Sequence, residues 1–156
     1  MAMAYLSLGA NLGNRRKQLI TAAAIIAERA GDILALSDFY ETASWGYTSE
    51  HPFLNIAIKL ETPLFPSELL TTIQQIEREL GRTPKEKEGS YEDRPIDIDI
   101  LLYDNLIQKT PELEIPHPLM HLRSFVLLPL AEIAPMVIHP VLNCPITKLL
   151  EKLKST

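Results

Sequence analysis

Apolar side chains recur along this chain with two alternating periods. Tyr5-Leu6-Ser7-Leu8 has strand composition and is halted by Gly9-Ala10-Asn11-Leu12-Gly13-Asn14, where glycine and asparagine supply turn conformations that other residues resist. A helical period follows: Leu19, Ala22, Ala23, Ile26 and Ala30 lie on one face, and Gly31 is placed to close the helix in a left-handed conformation. Ile33 to Tyr40 and Leu54 to Leu60 return to strand composition, with Ile56, Ile58 and Leu60 alternating against Ala57 and Lys59. Pro66 suits the first turn of a second helix, whose stripe of Leu69, Ile73, Ile76 and Leu80 ends at Gly81. A charged stretch from Arg82 to Asp93 then leads to a strand over Ile96 to Tyr103.

The order β-α-β-β-α-β predicts a ferredoxin-like α+β fold, in which two helices cover one face of an antiparallel sheet. A helix from His121 to Ile133, bounded by Pro135, and a short one from Ile146 to Leu153 are available for the other face, which makes a three-layer α/β/α sandwich. With 156 residues and no internal repeat or linker, the chain reads as a single domain over residues 1–156.

Composition narrows the classes. Hydrophobic residues at 46% and charged residues at 22% describe a globular chain, neither disordered nor membrane-spanning. The start, Met1-Ala2-Met3-Ala4-Tyr5, lacks the basic and apolar regions of a secretory signal, so the expected location is the cytoplasm. The single Cys144 cannot form an intrachain disulfide and reads as a small hydrophobe. A net charge of −5 argues against a nucleic-acid or membrane-surface partner, so any bound anion must meet local positive charge. No coiled-coil seam is evident, and a monomer is expected.

The most informative segment is Arg94-Pro95-Ile96-Asp97-Ile98-Asp99-Ile100. Alternation in a strand sends the isoleucines to one face and both aspartates to the other. Two carboxylates roughly 6 Å apart repel by about 3 kcal/mol at an effective dielectric near 20. A divalent cation relieves this, and hard oxygen ligands suit Mg²⁺, which commonly shares its sites with substrate phosphates. Arg82, Lys85, Lys87 and Arg94 flank the same strand as a phosphate clamp, although Glu86, Glu88, Glu92 and Asp93 balance their charge. On the residues alone, a solvated face and an edge strand guarded by charge remain alternatives, and a noncatalytic binding module is the competing class. The chain has no Walker or Rossmann glycine motif, and His117 and His121 lack a third zinc ligand.

Six blocks in order resemble the 6-hydroxymethyl-7,8-dihydropterin pyrophosphokinase family: Tyr5 to Gly13, Phe39-Tyr40-Glu41-Thr42, Phe53-Leu54-Asn55, Ile76 to Arg82, Asp93 to Ile100, and Ile115-Pro116-His117-Pro118 with Arg123-Ser124-Phe125. The resemblance implies transfer of the β,γ-pyrophosphoryl group of ATP to the hydroxymethyl oxygen of the pterin, releasing AMP. It implies that Asp97 and Asp99 hold two Mg²⁺ ions and that Arg82 and Arg94 clamp the phosphates. Phe53 and Phe125 would sandwich the pterin ring, Asn55 would offer its edge both a donor and an acceptor, and Thr42 would complete that recognition. Trp45 would pack over the pterin or anchor its loop. His117 and Arg123 match positions near the nucleotide phosphates, and Gln74 and Ile100 positions near the adenosine. Tyr91 stands where a tryptophan often lies in the nucleotide loop, and Pro84 where some relatives carry a second arginine. The segments 43–52 and 83–93 are expected to close over bound substrates.

Overall fold

The computed structural model describes residues 1–42, 51–81 and 95–155. Strand β1 (Ala2–Ala10) is followed by α1 (Arg15–Arg29), β2 (Asp32–Leu36), β3 (Tyr40–Thr42), β4 (Phe53–Thr62), α2 (Pro66–Glu79) and β5 (Asp97–Tyr103). A small hairpin, β6 (Gln108–Lys109) with β7 (Glu114–Ile115), precedes a 3-10 turn over Met120–Leu122 and α3 (Ser124–Ile133). A second hairpin, β8 (Ile138–His139) with β9 (Cys144–Pro145), leads into α4 (Ile146–Lys154). The main sheet runs β2-β4-β1-β5 with all pairs antiparallel, the order expected of a ferredoxin-like βαββαβ core.

Alternation along the strands builds two cores. Ala4, Leu6 and Leu8 of β1, Ile56, Ile58 and Leu60 of β4, and Ile98 and Ile100 of β5 pack with Leu19, Ala22 and Ile26 of α1 and Leu69, Ile73 and Ile76 of α2. The opposite face carries Tyr5, Ala57, Leu101 and Leu102, packed with Val126, Leu127 and Leu130 of α3 and Ile146 and Leu149 of α4. A bulge after β1 residue Tyr5 pairs Tyr5 with Leu102 and Leu6 with Ile100, so that Leu101 and Leu102 both reach the second core.

Several boundaries differ from the sequence reading, each for a local reason. β1 continues through Gly9 to Ala10, because β4 and β5 both pair with Gly9 and extend the ladder past the expected turn. The strand expected over Ile33–Tyr40 breaks at Ser37. Its backbone N–H donates to Ala57 O at 3.0 Å while its hydroxyl accepts from Ala57 N at 2.8 Å, so one serine meets both groups of Ala57 before β3 begins. The helix expected from His121 splits at Arg123, which is extended at φ −117° and ψ 106°. Gly31 has φ +153° rather than a left-handed helical value. A Cβ there would stand 2.1 Å from Glu61 O, so close approach of β4 demands glycine. Cys144 is half-buried beside the second core.

Candidate active site

The sheet face toward α3 changes character along its length. Tyr5, Ala57 and Leu101 are apolar and covered, whereas further along the same strands come Ser7 and Gly9 of β1, Asn55 and Phe53 of β4, and Asp99 and Asp97 of β5. Gly9 is the register partner of Asn55 on one side and of Asp97 on the other. Asn55, Gly9 and Asp97 therefore form one row across neighbouring strands, and two strand spacings separate the carboxamide strand from the carboxylate strand by about 9.5 Å. Ser7 pairs with Asp99 in the next row on this face. The expected alternation in β5 holds: Ile98 and Ile100 are 5% and 4% exposed, and Asp97 and Asp99 are half-buried on the other face.

Asn55 is held tightly. Its Nδ2 donates to Thr42 Oγ1 at 2.9 Å and to Tyr40 O at 3.3 Å, both on β3. A carbonyl can only accept, so this fixes the carboxamide orientation. Both amide hydrogens are engaged, and Asn55 offers Oδ1 as an acceptor rather than the donor and acceptor expected from its residue type. Thr42 Oγ1, having accepted, keeps its own hydrogen for donation. The Oδ1 lies 2.9 Å, and Phe53 Cδ1 3.5 Å, from the position a Cβ on Gly9 would take. The absence of a side chain at Gly9 thus lets the amide and the ring approach the strand. The glycine looked like a turn residue; inside a strand, its signal is close approach of other groups.

The entry to β4 is stapled to the start of α1. Arg15 Nη1 donates to Pro52 O at 2.8 Å, its Nη2 pairs with Glu41 Oε2 at 2.9 Å, and Asn11 Nδ2 donates to His51 O at 3.1 Å. These bonds set where Phe53 begins its strand. None was evident from sequence, since backbone acceptors leave no residue-type pattern.

His117 and Arg123 approach from the far side. The His117 N–H donates to Leu101 O at 3.0 Å, tying it to β5. Its Nδ1 accepts from Leu119 N at 3.2 Å, which leaves the neutral ring's proton on Nε2. Burial, reinforced by the positive charge of Arg123 and opposed by Asp97, pulls its pKa down to about 4. Arg123 is 6% exposed, and its guanidinium carbon stands 5.6 Å from the centroid of the Phe125 ring. Phe125, in the first turn of α3, packs at the border of the second core.

On the outer edge of β5, Glu77 of α2 accepts a 2.9 Å hydrogen bond from Ile98 N through Oε2. Glu77 is not among the site residues expected from the sequence. The available signal was a charged side chain four positions after Ile73 and next to Ile76, on a stripe where charge requires a partner. Gln74, one turn earlier, is exposed. Ile100 buries its side chain in the first core, so any ligand contact by this residue is through its backbone. Trp45, Arg82, Tyr91 and Arg94 lie outside the described residues, as do Pro84, Lys85 and Lys87. Among the described residues, no three histidine, cysteine, aspartate or glutamate side chains cluster as a metal cage. No helix among them is long and apolar enough to cross a membrane.

The fold is an α+β sandwich whose sheet carries at one end a polar row of Asn55, Gly9 and Asp97, with Ser7 and Asp99 in the next row. Residues 5–135 match the family model described as 7,8-dihydro-6-hydroxymethylpterin-pyrophosphokinase (HPPK). A 2-amino-4-hydroxy-6-hydroxymethyldihydropteridine pyrophosphokinase of Porphyromonas gingivalis is 51% identical over 146 residues, covering 93% of this chain and 99% of that one. The protein of the same name from Aquifex aeolicus is 41% identical, covering 94% and 89%. The crystal structure of Plasmodium falciparum HPPK-DHPS, wild type with pteroate, superposes with a TM-score of 0.77 at 19% identity, a likeness of fold. It covers 99% of this chain but 42% of that longer one. The chain belongs to the 7,8-dihydro-6-hydroxymethylpterin-pyrophosphokinase family. Its activity is pyrophosphate transfer to hydroxymethyldihydropterin in folate synthesis, with ATP as the other substrate.

Proposed function

We propose that the enzyme carries out this transfer with the pterin lying over Gly9, between Asn55 and Asp97, and with two Mg²⁺ ions held by Asp97 and Asp99. The row across β4, β1 and β5 carries the reading: it puts a fixed acceptor and a carboxylate on one floor about 9.5 Å apart, a span suited to a bicyclic ring with its hydroxymethyl arm. Asn55 Oδ1 accepts from the N–H groups of the pterin edge, and Thr42 donates to the adjoining acceptor. Phe53 and Phe125 bind the ring faces, each contact contributing about 0.5 to 1.5 kcal/mol beyond area burial.

The donor set fits magnesium, since two carboxylates on one strand face supply hard oxygen and leave positions for water and phosphate. When bound, the ions neutralise charge on the transferred group and lower the pKa of the substrate hydroxyl. Asp97 and Asp99 orient that assembly against the pterin arm. His117 presents a neutral Nε2–H donor and Arg123 a fixed positive charge to the nucleotide phosphates, while Arg82 and Arg94 complete the clamp. Trp45 covers the pterin or anchors its loop, and Gln74, Tyr91 and the Ile100 backbone contact the adenosine part. Both cores share one sheet, which supports a single domain over residues 1–156.

Incubation with ATP, Mg²⁺ and 6-hydroxymethyl-7,8-dihydropterin is expected to yield AMP and the pterin diphosphate in equal amounts, with no turnover in EDTA. ADP as the nucleotide product, or full activity without a divalent cation, would overturn the reading.

A further inference from the structure

β5 closes its side of the main sheet, paired there with β1. Alternate amides along such a strand point away from the partner and ordinarily meet solvent or another chain. The Ile98 amide meets Glu77 Oε2 at 2.9 Å instead. This carboxylate belongs to α2 and is 8% exposed, beside Ile73 and Ile76, which are both 0% exposed. Withdrawing a carboxylate from water costs several kcal/mol unless strong hydrogen bonds compensate, and a packed apolar side chain would serve helix burial at no such cost. What an apolar side chain cannot do is hold an amide.

That amide belongs to the peptide plane joining Asp97 to Ile98. Fixing the plane fixes the direction in which Asp97 leaves the strand, and Asp99 follows on the same face. We propose that Glu77 is a positioning residue for pyrophosphoryl transfer, setting the aim of Asp97 and Asp99 through the backbone between them. The inference rests on the reading of these aspartates as the magnesium-holding pair. Asn55, two strands away, does not depend on Glu77, so the defect belongs in turnover rather than in pterin recognition.

Two substitutions separate an acceptor from a charge. Glu77→Gln keeps an oxygen that can receive the Ile98 N–H, whereas Glu77→Ala removes it; Glu77→Asp retracts the carboxylate by one methylene and serves where the alanine variant does not fold. In ligand-free protein, hydrogen exchange at Ile98 followed by NMR is expected to accelerate about tenfold or more in the alanine or aspartate variant and to stay slow in the glutamine variant. In the assay, kcat is expected to fall about a hundredfold in the former, the scale of a small misplacement, with KM for the pterin unchanged and with recovery in Glu77→Gln. Glutamine as damaging as alanine would overturn the proposal, as would wild-type kcat in a variant whose Ile98 amide has lost protection. Asp97→Ala and Asp99→Ala are assayed alongside. If they stay active, the magnesium reading fails; if they are inactive while Glu77→Ala is normal, only the role of Glu77 fails.

Discussion

The Tyr40 hydroxyl donates a 2.6 Å hydrogen bond to Glu132 Oε1, joining β3 to α3 across the second layer. The same carboxylate accepts from Asp38 N at 3.1 and 3.3 Å, so one glutamate gathers the break in the strand that ends at Thr42. The hydrogen bond to Glu132, with burial and nearby negative charge, pushes the Tyr40 phenol up to about 12. Because Tyr40 and Thr42 in turn hold the Asn55 amide, Glu132 supports from behind the end of the row proposed to recognise the pterin.

Glu132→Ala is accordingly expected to raise KM for the pterin several-fold, leave kcat nearly intact and lower stability by about 1 kcal/mol, the scale of a partly exposed hydrogen bond. Steady-state kinetics with thermal melts check this. An unchanged KM would show that β3 holds Asn55 without help from α3.

Gly9→Ala tests the close approach of Asn55 to β1. The added Cβ would stand 2.9 Å from Asn55 Oδ1, closer than real contacts allow, and the carboxamide cannot turn away without releasing Thr42 and Tyr40. Pterin affinity measured by calorimetry is expected to fall about tenfold or more, the scale of one misplaced hydrogen bond at 1.4 kcal/mol or above. Circular dichroism should match the wild type, since Gly9 adopts no positive φ. Wild-type affinity would show that pterin binding does not depend on that approach.

Asp97→Ala and Asp99→Ala are each expected to reduce kcat about a thousandfold or more, corresponding to several kcal/mol of lost charge stabilisation. Melting curves provide the check: the rise in melting temperature that Mg²⁺ with ATP gives the wild type is expected to be lost in both variants, and a wild-type rise would remove that residue from the metal site.

Acid should loosen the protein through its histidines. His139 is 4% exposed, and its Nδ1 accepts from Val141 N at 3.2 Å and Leu142 N at 3.1 Å. Burial, with the neighbouring His121 as a second cause, lowers its pKa from the ordinary 6.5. His117 is lowered to about 4. Between pH 6.5 and these lowered values the unfolded chain binds more protons than the folded one, so the stabilisation is complete above pH 6.5 and is lost as pH falls through the folded values. For His117 the loss amounts to about 3 kcal/mol at most. His139→Asn keeps a turn acceptor that cannot be protonated in this range, and its melting temperature should fall less between pH 7.5 and 5 than that of the wild type. Equal slopes would remove His139 from the pH response.

The layers of the fold were legible in the sequence because burial is periodic: Leu6 and Leu8, Ile56 to Leu60, and Leu69 to Ile76 all declare the face they cover. The acidic pair was legible for the same reason, alternation against Ile96, Ile98 and Ile100. Four kinds of feature were not. Gly9 looked like a turn because a glycine gives no sign of what crowds it. The break at Ser37 depends on a hydroxyl standing in for a ladder group, which no period encodes. Glu77 and Glu132 act on backbone amides from distant helices, and such bonds appear only once α2 and α3 have been laid against the sheet. The Asn55 donors were overcounted because residue type states hydrogen-bonding capacity, not what Tyr40 and Thr42 have already used.

The placement of Asn55 and Asp97 on strands flanking Gly9 makes the sheet a measuring device. Backbone ladders stretch very little, so main-chain pairing fixes the spacing of the strands that carry the group proposed to recognise the heterocycle and the group proposed to serve the reacting arm. Analogues that move the hydroxyl one bond further from the ring will seat their heads correctly yet present their arms out of register. This predicts a class of tight, unreactive ligands selected by length alone.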